Sequence, residues 1–156
     1  LTNQNKENIT HFDYDDHIYV ADFFFTTCPS MCPMMTENMV YLQSLLNDLP
    51  EIKLLSFSVT PDIDTPEVLK TYAQQKGVDD SRWNLLTGDK KEINNLARRS
   101  YLVVQEDGNG DEHDMIHTEN FVLIDKQRRI RGYYDGTQRE DMDQIRADID
   151  ILRQEK

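Results

Sequence analysis

Residues 18–33 read IYVADFFFTTCPSMCP, and this stretch decides the fold. Its first eight residues are almost continuously apolar, which is typical of a β-strand covered on both faces. The second half carries Cys28 and Cys32 and ends at Pro33, which fits the first turn of a helix because its missing N–H would be unpaired there. Residues 34–49 then place apolar side chains at helical spacing. We therefore expect a buried strand, a cysteine loop and a helix in succession.

The rest of the chain alternates between strand and helix patterns. Further strands are predicted at residues 52–59, 101–105, 121–124 and 129–134, and helices at residues 65–75, 89–100 and 137–152. Thr65, Pro66 and Gly77 have the types expected at the start and end of the helix at residues 65–75. The polar residues 1–16 are expected to form a hairpin or an edge strand. This order predicts an α/β, thioredoxin-like fold with insertions, in which helices flank a mixed central sheet.

Length and charge limit the class of protein. The 156 residues contain no repeat or linker, so we expect one domain over residues 1–156. The formal net charge of −12 would repel a phosphate backbone, so a metal cation or a cationic protein face is a more natural partner than nucleic acid. No apolar run approaches the roughly 20 residues of a membrane span. Leu1 is not a natural start, so we expect any leader or anchor to lie upstream.

The two cysteines are four positions apart and have no other cysteine to pair with. A disulfide between them would close a short loop and add little chain-entropy stabilisation, so their value is chemical. Both precede a predicted helix, whose N-terminal dipole favours the thiolate form. Soft thiolates select Cu(I), zinc or an iron–sulfur cluster, and two are too few for an all-cysteine cluster. Two unconnected structural cysteines remain the alternative.

A third ligand would come from one of four histidines. His117 directly precedes the strand at residues 121–124, on the loop that a thioredoxin fold places opposite the helix that carries the cysteines. Thioredoxin-type oxidoreductases have a cis-proline in that loop, whereas this chain has no proline after Pro66. We interpret His11, His17 and His113 as solvated or capping residues.

Three segments together resemble the Sco (SenC/PrrC) copper proteins: TTCPSMCP at residues 26–33, SVTPDIDTP at residues 58–66 and HTENFVLID at residues 117–125. The resemblance implies a thioredoxin fold and an extracytoplasmic, periplasmic-side domain that is anchored by an N-terminal segment. It also implies assistance in assembling the dinuclear copper centre of cytochrome c oxidase, whose copper-site subunit or another copper-trafficking protein would be the partner. By the same resemblance, Cys28, Cys32 and His117 match the family's copper ligands. The family often has an acidic residue where this chain has Thr60.

Two residues near the cysteines have open roles. Asp22 interrupts the apolar strand six positions before Cys28, the offset at which thioredoxins carry a buried carboxylate. It is either a proton relay for the thiols or a hydrogen-bonded structural residue. Met31 lies between the cysteines and is a candidate copper contact, because a thioether can ligate Cu(I). Met35 and Met39 have helical spacing and are expected in the core.

Two functions follow from these residues, and they differ in class. The first is a copper metallochaperone that binds one copper, as Cu(I) and also as Cu(II), through Cys28, Cys32 and His117. The second is a thiol–disulfide reductase that reduces the copper-site cysteines of its partner, using Cys28 and Cys32 with Asp22. A structural zinc module is a third alternative, and it would need a fourth protein ligand in addition to Cys28, Cys32 and His117. His117 discriminates between the two functions, since copper needs it and dithiol exchange does not.

Overall fold

The computed structural model describes residues 1–24, 26, 31–97, 101 and 120–154, with the backbone only at residues 11, 12 and 31–33. Its strands are β1 (Tyr19–Phe24), β2 (Lys53–Ser58), β3 (Trp83–Leu86), β4 (Asn120–Ile124) and β5 (Ile130–Asp135), and its helices are α1 (Met31–Leu45), α2 (Pro66–Lys76), α3 (Lys90–Asn95) and α4 (Arg139–Gln154). The strands form one sheet in the order β3-β2-β1-β4-β5. β1, β2 and β3 are parallel, while β4 is antiparallel to β1 and to β5. The predicted mixed sheet flanked by helices is confirmed.

β1 lies at the centre of the sheet, and all six of its residues are buried. Because side chains alternate between faces along a strand, Val20 and Phe24 belong to the core beneath α1, α2 and α4. Tyr19 and Phe23 belong to the core on the opposite face, which α3 helps to cover. The apolar run therefore forms a strand with two covered faces, as the sequence predicts.

α1 begins earlier and ends earlier than the apolar spacing predicts. It starts at Met31, so Cys32 is already its second residue and Pro33 lies in its first turn. It stops at Leu45, and a turn over residues 46–48 leads to the next strand. Leu49 is buried but lies outside the helix. The helical spacing of apolar residues in the sequence therefore extends beyond Leu45, where α1 itself ends.

α2 has the boundaries that local sequence signals predict. The Thr65 hydroxyl accepts a hydrogen bond from Val68 N at 3.4 Å, and Pro66 is the first helical residue. Gly77 ends the helix with φ of 81°, in the left-handed region that favours glycine. These caps fix the position at which the loop after β2 becomes helix.

β3 has no counterpart among the predicted strands, and the edge beside it differs from the predicted hairpin or edge strand. The N-terminal residues form no regular strand: Thr2 makes single bridges to Asn8 and to Thr87, next to β3. A 3₁₀ turn, His11–Tyr14, follows. Polar side chains attach this segment to β3, since Gln4 Oε1 accepts a hydrogen bond from Leu85 N at 2.9 Å.

The C-terminal elements follow the prediction closely, and α3 only in part. The predicted hairpin is formed by β4 and β5, and α4 packs against α1. α3 has the Asp89 cap and spans Lys90–Asn95, a π-helical turn follows at residues 96–97, and residues 98–100 of the predicted helix lie outside the described residues. The predicted strand at residues 101–105 lies outside the described residues except for Tyr101. Within the described ranges, no helix has the length and apolar character needed to cross a membrane.

Candidate metal centre

The sheet topology brings the cysteine and histidine segments to one edge. β1 and β2 are parallel, so Phe24 and Ser58 end at the same edge of the sheet. β4 runs the opposite way and pairs Val122 with Ala21, so its first residue, Asn120, lies at the edge where β1 ends. The chain therefore leaves β1 toward the cysteines and enters β4 from the histidine segment at a common edge.

The proposed ligands themselves fall mostly outside the described residues. Cys28 and His117 lie outside them, and Cys32 is described only as helical backbone, as is Met31. Within the described residues, no group of three or more His, Cys, Asp or Glu side chains could hold a metal ion. His17, which we interpreted as solvated, contacts the Glu51 carbonyl oxygen through Nδ1 at 3.1 Å.

A buried carboxylate, Asp64, ties the start of the cysteine segment to the loop between β2 and α2. It accepts hydrogen bonds from the backbone N–H of Thr26 at 3.2 Å and from the Thr26 hydroxyl. It also accepts from Ser58 Oγ at 2.7 Å and from Thr60 Oγ1 at 3.1 Å. Thr26 is two residues before Cys28. Asp64 thus holds both segments to one acceptor at the same sheet edge.

Thr60 occupies the position at which the Sco family often has an acidic residue. Its side chain is buried and its hydroxyl donates to Asp64, while its backbone N–H donates to Ser58 Oγ at 3.2 Å. In this chain the residue therefore completes a hydrogen-bonded loop around Asp64.

Asp22 is the second buried carboxylate of this end of the molecule. It pairs in register with Ser56 on the neighbouring strand, and the Ser56 hydroxyl donates a hydrogen bond to its Oδ1. Burial raises the pKa of Asp22 to about 7, because an ionised carboxylate loses its hydration there, and the Ser56 hydrogen bond opposes that rise. A carboxyl group with such a pKa can both accept and release a proton near neutral pH.

The methionines of α1 separate into core and surface. Met35 and Met39 are buried in the core between α1 and the sheet, which confirms the expectation from their helical spacing. Met34 is exposed in the first turn of the same helix. The structure does not describe the Met31 side chain, so its role as a copper contact stays a prediction.

Asp64 is the site residue that sequence reasoning missed. The segment that contains it, residues 58–66, predicts a helix cap through Thr65 and Pro66 and carries part of the family resemblance, but neither signal assigns a role to Asp64. A second signal was present: an aspartate within a short loop that begins with Ser58 and Thr60, two hydroxyl donors. Their convergence on one carboxylate could have been proposed, whereas the bond to Thr26 depends on the tertiary fold.

The chain is similar to known proteins over almost its entire length. The SCO1/SenC family profile matches residues 1–153. A SCO1/SenC family lipoprotein from Bacillus anthracis is 34% identical with a TM-score of 0.84, over 98% of this chain and 91% of that one. BsSco, a Sco family cytochrome c oxidase assembly protein with a disulfide switch, is 28% identical with a TM-score of 0.83, over 99% of this chain and 91% of that one.

A copper-bound protein of the same family has the same fold. Bradyrhizobium japonicum ScoI with copper bound is 25% identical to this chain with a TM-score of 0.71, over 97% of this chain and 95% of that one. The family profile, these neighbours and the shared sheet edge all agree with the resemblance of the cysteine, DTP and histidine segments. The chain belongs to the SCO1/SenC family.

Proposed function

We propose that this protein is a copper metallochaperone that assists assembly of the dinuclear copper centre of cytochrome c oxidase. It binds one copper ion as cargo through the thiolates of Cys28 and Cys32 and the imidazole of His117. The observation that carries the proposal is the common sheet edge from which both segments extend. Cys28 is four residues beyond β1 and His117 is three residues before β4, within about 14 Å and 11 Å of chain from that edge.

The donor set suits copper in both of its common oxidation states. Two thiolates provide the soft ligands that Cu(I) prefers, and an imidazole nitrogen adds a donor that Cu(II) also accepts. Cys32, as the second residue of α1, lies where the helix dipole favours the thiolate over the thiol. Three protein ligands leave room for a partner's ligand, which a cargo ion needs for transfer.

Membership of the family supports a proposal for the partner and the location. We infer that the partner is the copper-site subunit of the oxidase or another copper-trafficking protein. BsSco is described as an oxidase assembly protein, and the Bacillus anthracis relative is described as a lipoprotein. The second description supports a domain on the extracytoplasmic face that is anchored through an N-terminal segment, and the first supports a partner in oxidase assembly.

Cysteine replacement tests the ligand set directly. Cys28→Ser and Cys32→Ser should each abolish tight Cu(I) binding, because a hydroxyl is a poor ligand for a soft ion. The measurement is a Cu(I) competition titration of reduced protein with a chromophoric chelator. Ser30→Ala, which changes a residue between the two cysteines and leaves both thiols, is the matched control. Parent-like copper stoichiometry in either cysteine variant would falsify the assignment.

A thiol–disulfide reductase is the second candidate, and the environment of Asp22 favours it. Cys28 and Cys32 would form a disulfide and pass two electrons to a disulfide of the partner, which would leave as a dithiol. Asp22 would accept a thiol proton, which its pKa of about 7 permits. Copper and the disulfide use the same sulfurs, so the two functions exclude each other in time but not in one protein. A glutathione redox titration of the parent, repeated with bound Cu(I), measures this competition.

A further inference from the structure

Asp22 lies at the end of a buried hydrogen-bond chain that extends from Trp83. The indole Nε1 of Trp83 donates to Ser56 Oγ at 3.0 Å, and the Ser56 hydroxyl donates to Asp22 Oδ1. All three side chains are buried, and they come from the three neighbouring strands β1, β2 and β3. No local sequence pattern predicts this hydrogen-bond chain, because Trp83 is 27 positions from Ser56 and Ser56 is 34 positions from Asp22.

The hydrogen bonds of this chain all run in one direction, from Trp83 to Asp22, because an indole N–H can only donate. The hydrogen bond from Trp83 occupies a lone pair of Ser56 Oγ, and an ionised carboxylate can only accept. The single proton of the Ser56 hydroxyl is therefore directed toward Asp22. A hydroxyl that already accepts a hydrogen bond is also a better donor, since the two bonds polarise each other.

We propose that Ser56 and Trp83 are positioning residues that set the protonation of Asp22: Trp83 fixes the Ser56 hydroxyl, and Ser56 stabilises the ionised carboxylate. The part of this proposal that concerns thiol chemistry rests on the proposed function, whereas the effect on Asp22 does not. These two hydrogen bonds keep a fraction of the buried Asp22 carboxyl groups ionised near neutral pH. Only the ionised carboxylate can accept a proton.

Among the described residues, no other side chain donates a hydrogen bond to Asp22. The only side-chain hydrogen bond that Asp22 receives within the described residues comes from Ser56. On this face of the sheet, α1 and α2 contribute the apolar core residues Met35, Met39, Leu69 and Ala73, and the buried polar residues of α1, Thr36 and Asn38, bond to Tyr72 and to the Gly136 carbonyl oxygen. The titratable groups on α1, α2 and β5 have other environments or partners: Glu37 and Glu67 are exposed, the Tyr72 hydroxyl contacts Thr36, Lys70 donates to Asp80, Lys76 lies over the Tyr72 ring, and the Tyr41 and Tyr134 hydroxyls donate to Asp143 and Asp148. On α4, Asp143 and Asp148 accept those two hydrogen bonds, and Arg146 pairs with Asp48 and Asp150. The Cys32 side chain lies outside the described residues.

Carboxyl ¹³C NMR of reduced, metal-free protein as a function of pH tests the proposal. Ser56→Ala should raise the apparent pKa of Asp22 by about one to two pH units, because a hydrogen bond to the charged form is lost. Trp83→Phe should raise it by less, since Ser56 stays but loses its fixed direction. Ser58→Ala, the loss of another buried hydroxyl on β2, is the matched control and should leave Asp22 unchanged. An unchanged Asp22 titration in Ser56→Ala would overturn the proposal.

Two further measurements keep the outcomes distinct. Trp83 is the only tryptophan, so its fluorescence should titrate with Asp22 in the parent and lose that step in Asp22→Asn. If Ser56→Ala does not fold, Trp83→Phe tests the hydrogen-bond chain from its donor end. An unchanged pKa of Asp22 in Trp83→Phe then overturns the proposal. The pH profile of thiol–disulfide exchange should shift with Asp22 in Ser56→Ala. A shifted Asp22 with an unshifted exchange profile supports the positioning and contradicts the reductase candidate.

Discussion

Asp22 and Asp64, two buried carboxylates at the end of the molecule that carries the candidate metal site, differ in the number of hydrogen-bond donors that contact them. Among the residues that the structure describes, Asp22 receives one side-chain hydrogen bond, from Ser56. Asp64 receives four hydrogen bonds from three residues of two separate segments. Asp64 therefore has the partners needed to organise a loop, whereas Asp22 depends on a single described donor.

The same substitution should have very different consequences at the two positions. Asp64→Asn should lower the free energy of unfolding by about 3 kcal/mol, because an amide offers one acceptor oxygen to four donors and leaves buried groups unpaired. Urea denaturation measures this change. Asp62→Asn, at an exposed position of the same loop, is the control and should change stability little. Equal stabilities of the two variants would contradict the organising role of Asp64.

Asp22 should make stability depend on pH, and Asp22→Asn should remove that dependence. The pKa of Asp22 is about 7 in the folded protein and near its ordinary value of 3.8 when unfolded, so the folded state holds more protons between these values. Stability contributed by this group is therefore full below pH 4 and falls as pH rises toward 7, by about 1 kcal/mol per pH unit. Urea denaturation of both proteins at several pH values should show that only the parent has this component. Parallel profiles would mean that Asp22 does not titrate in this range.

Thr60→Val should have the smallest effect of the three. It removes one of the four hydrogen bonds to Asp64 while keeping the shape of the side chain, so we expect a loss of about 1 kcal/mol. Thr71→Val, at an exposed position on α2, is the control for the same chemical change. If Thr60→Val matched Asp64→Asn in size, the network would depend on Thr60 and not on the shared carboxylate.

Local signals allowed much of the fold to be predicted. Each cap of α2 involves residues close in sequence, Thr65 with Val68 and Gly77 with Ala73, and β1 is recognisable because its apolar run is long. β3 was missed because Trp83–Leu86 has only four residues and no alternation to separate it from a loop. The end of α1 was misplaced because Leu49 continues the apolar spacing while already outside the helix.

Candidate site residues could be predicted only where the residue type itself indicates a chemical role. Cys28, Cys32 and His117 were selected because thiolates and imidazole are metal ligands, and Asp22 because a charge interrupts an apolar strand. The partners of the carboxylates could not be predicted, since Asp64 meets Thr26 across 38 positions and Asp22 meets Ser56 across 34. Such contacts depend on strand register, which no local pattern supplies.

The ligand set of the copper site is the central claim, and His117→Ala tests it most directly. The measurement is a Cu(II) titration followed by the thiolate-to-copper charge-transfer absorbance, together with a Cu(I) competition titration, in the variant and the parent. We predict that the variant loses most of the Cu(II) absorbance but keeps weakened Cu(I) binding, because Cu(I) tolerates two thiolates whereas Cu(II) also needs the imidazole nitrogen. A variant with the full Cu(II) absorbance of the parent would remove His117 from the site and contradict the account.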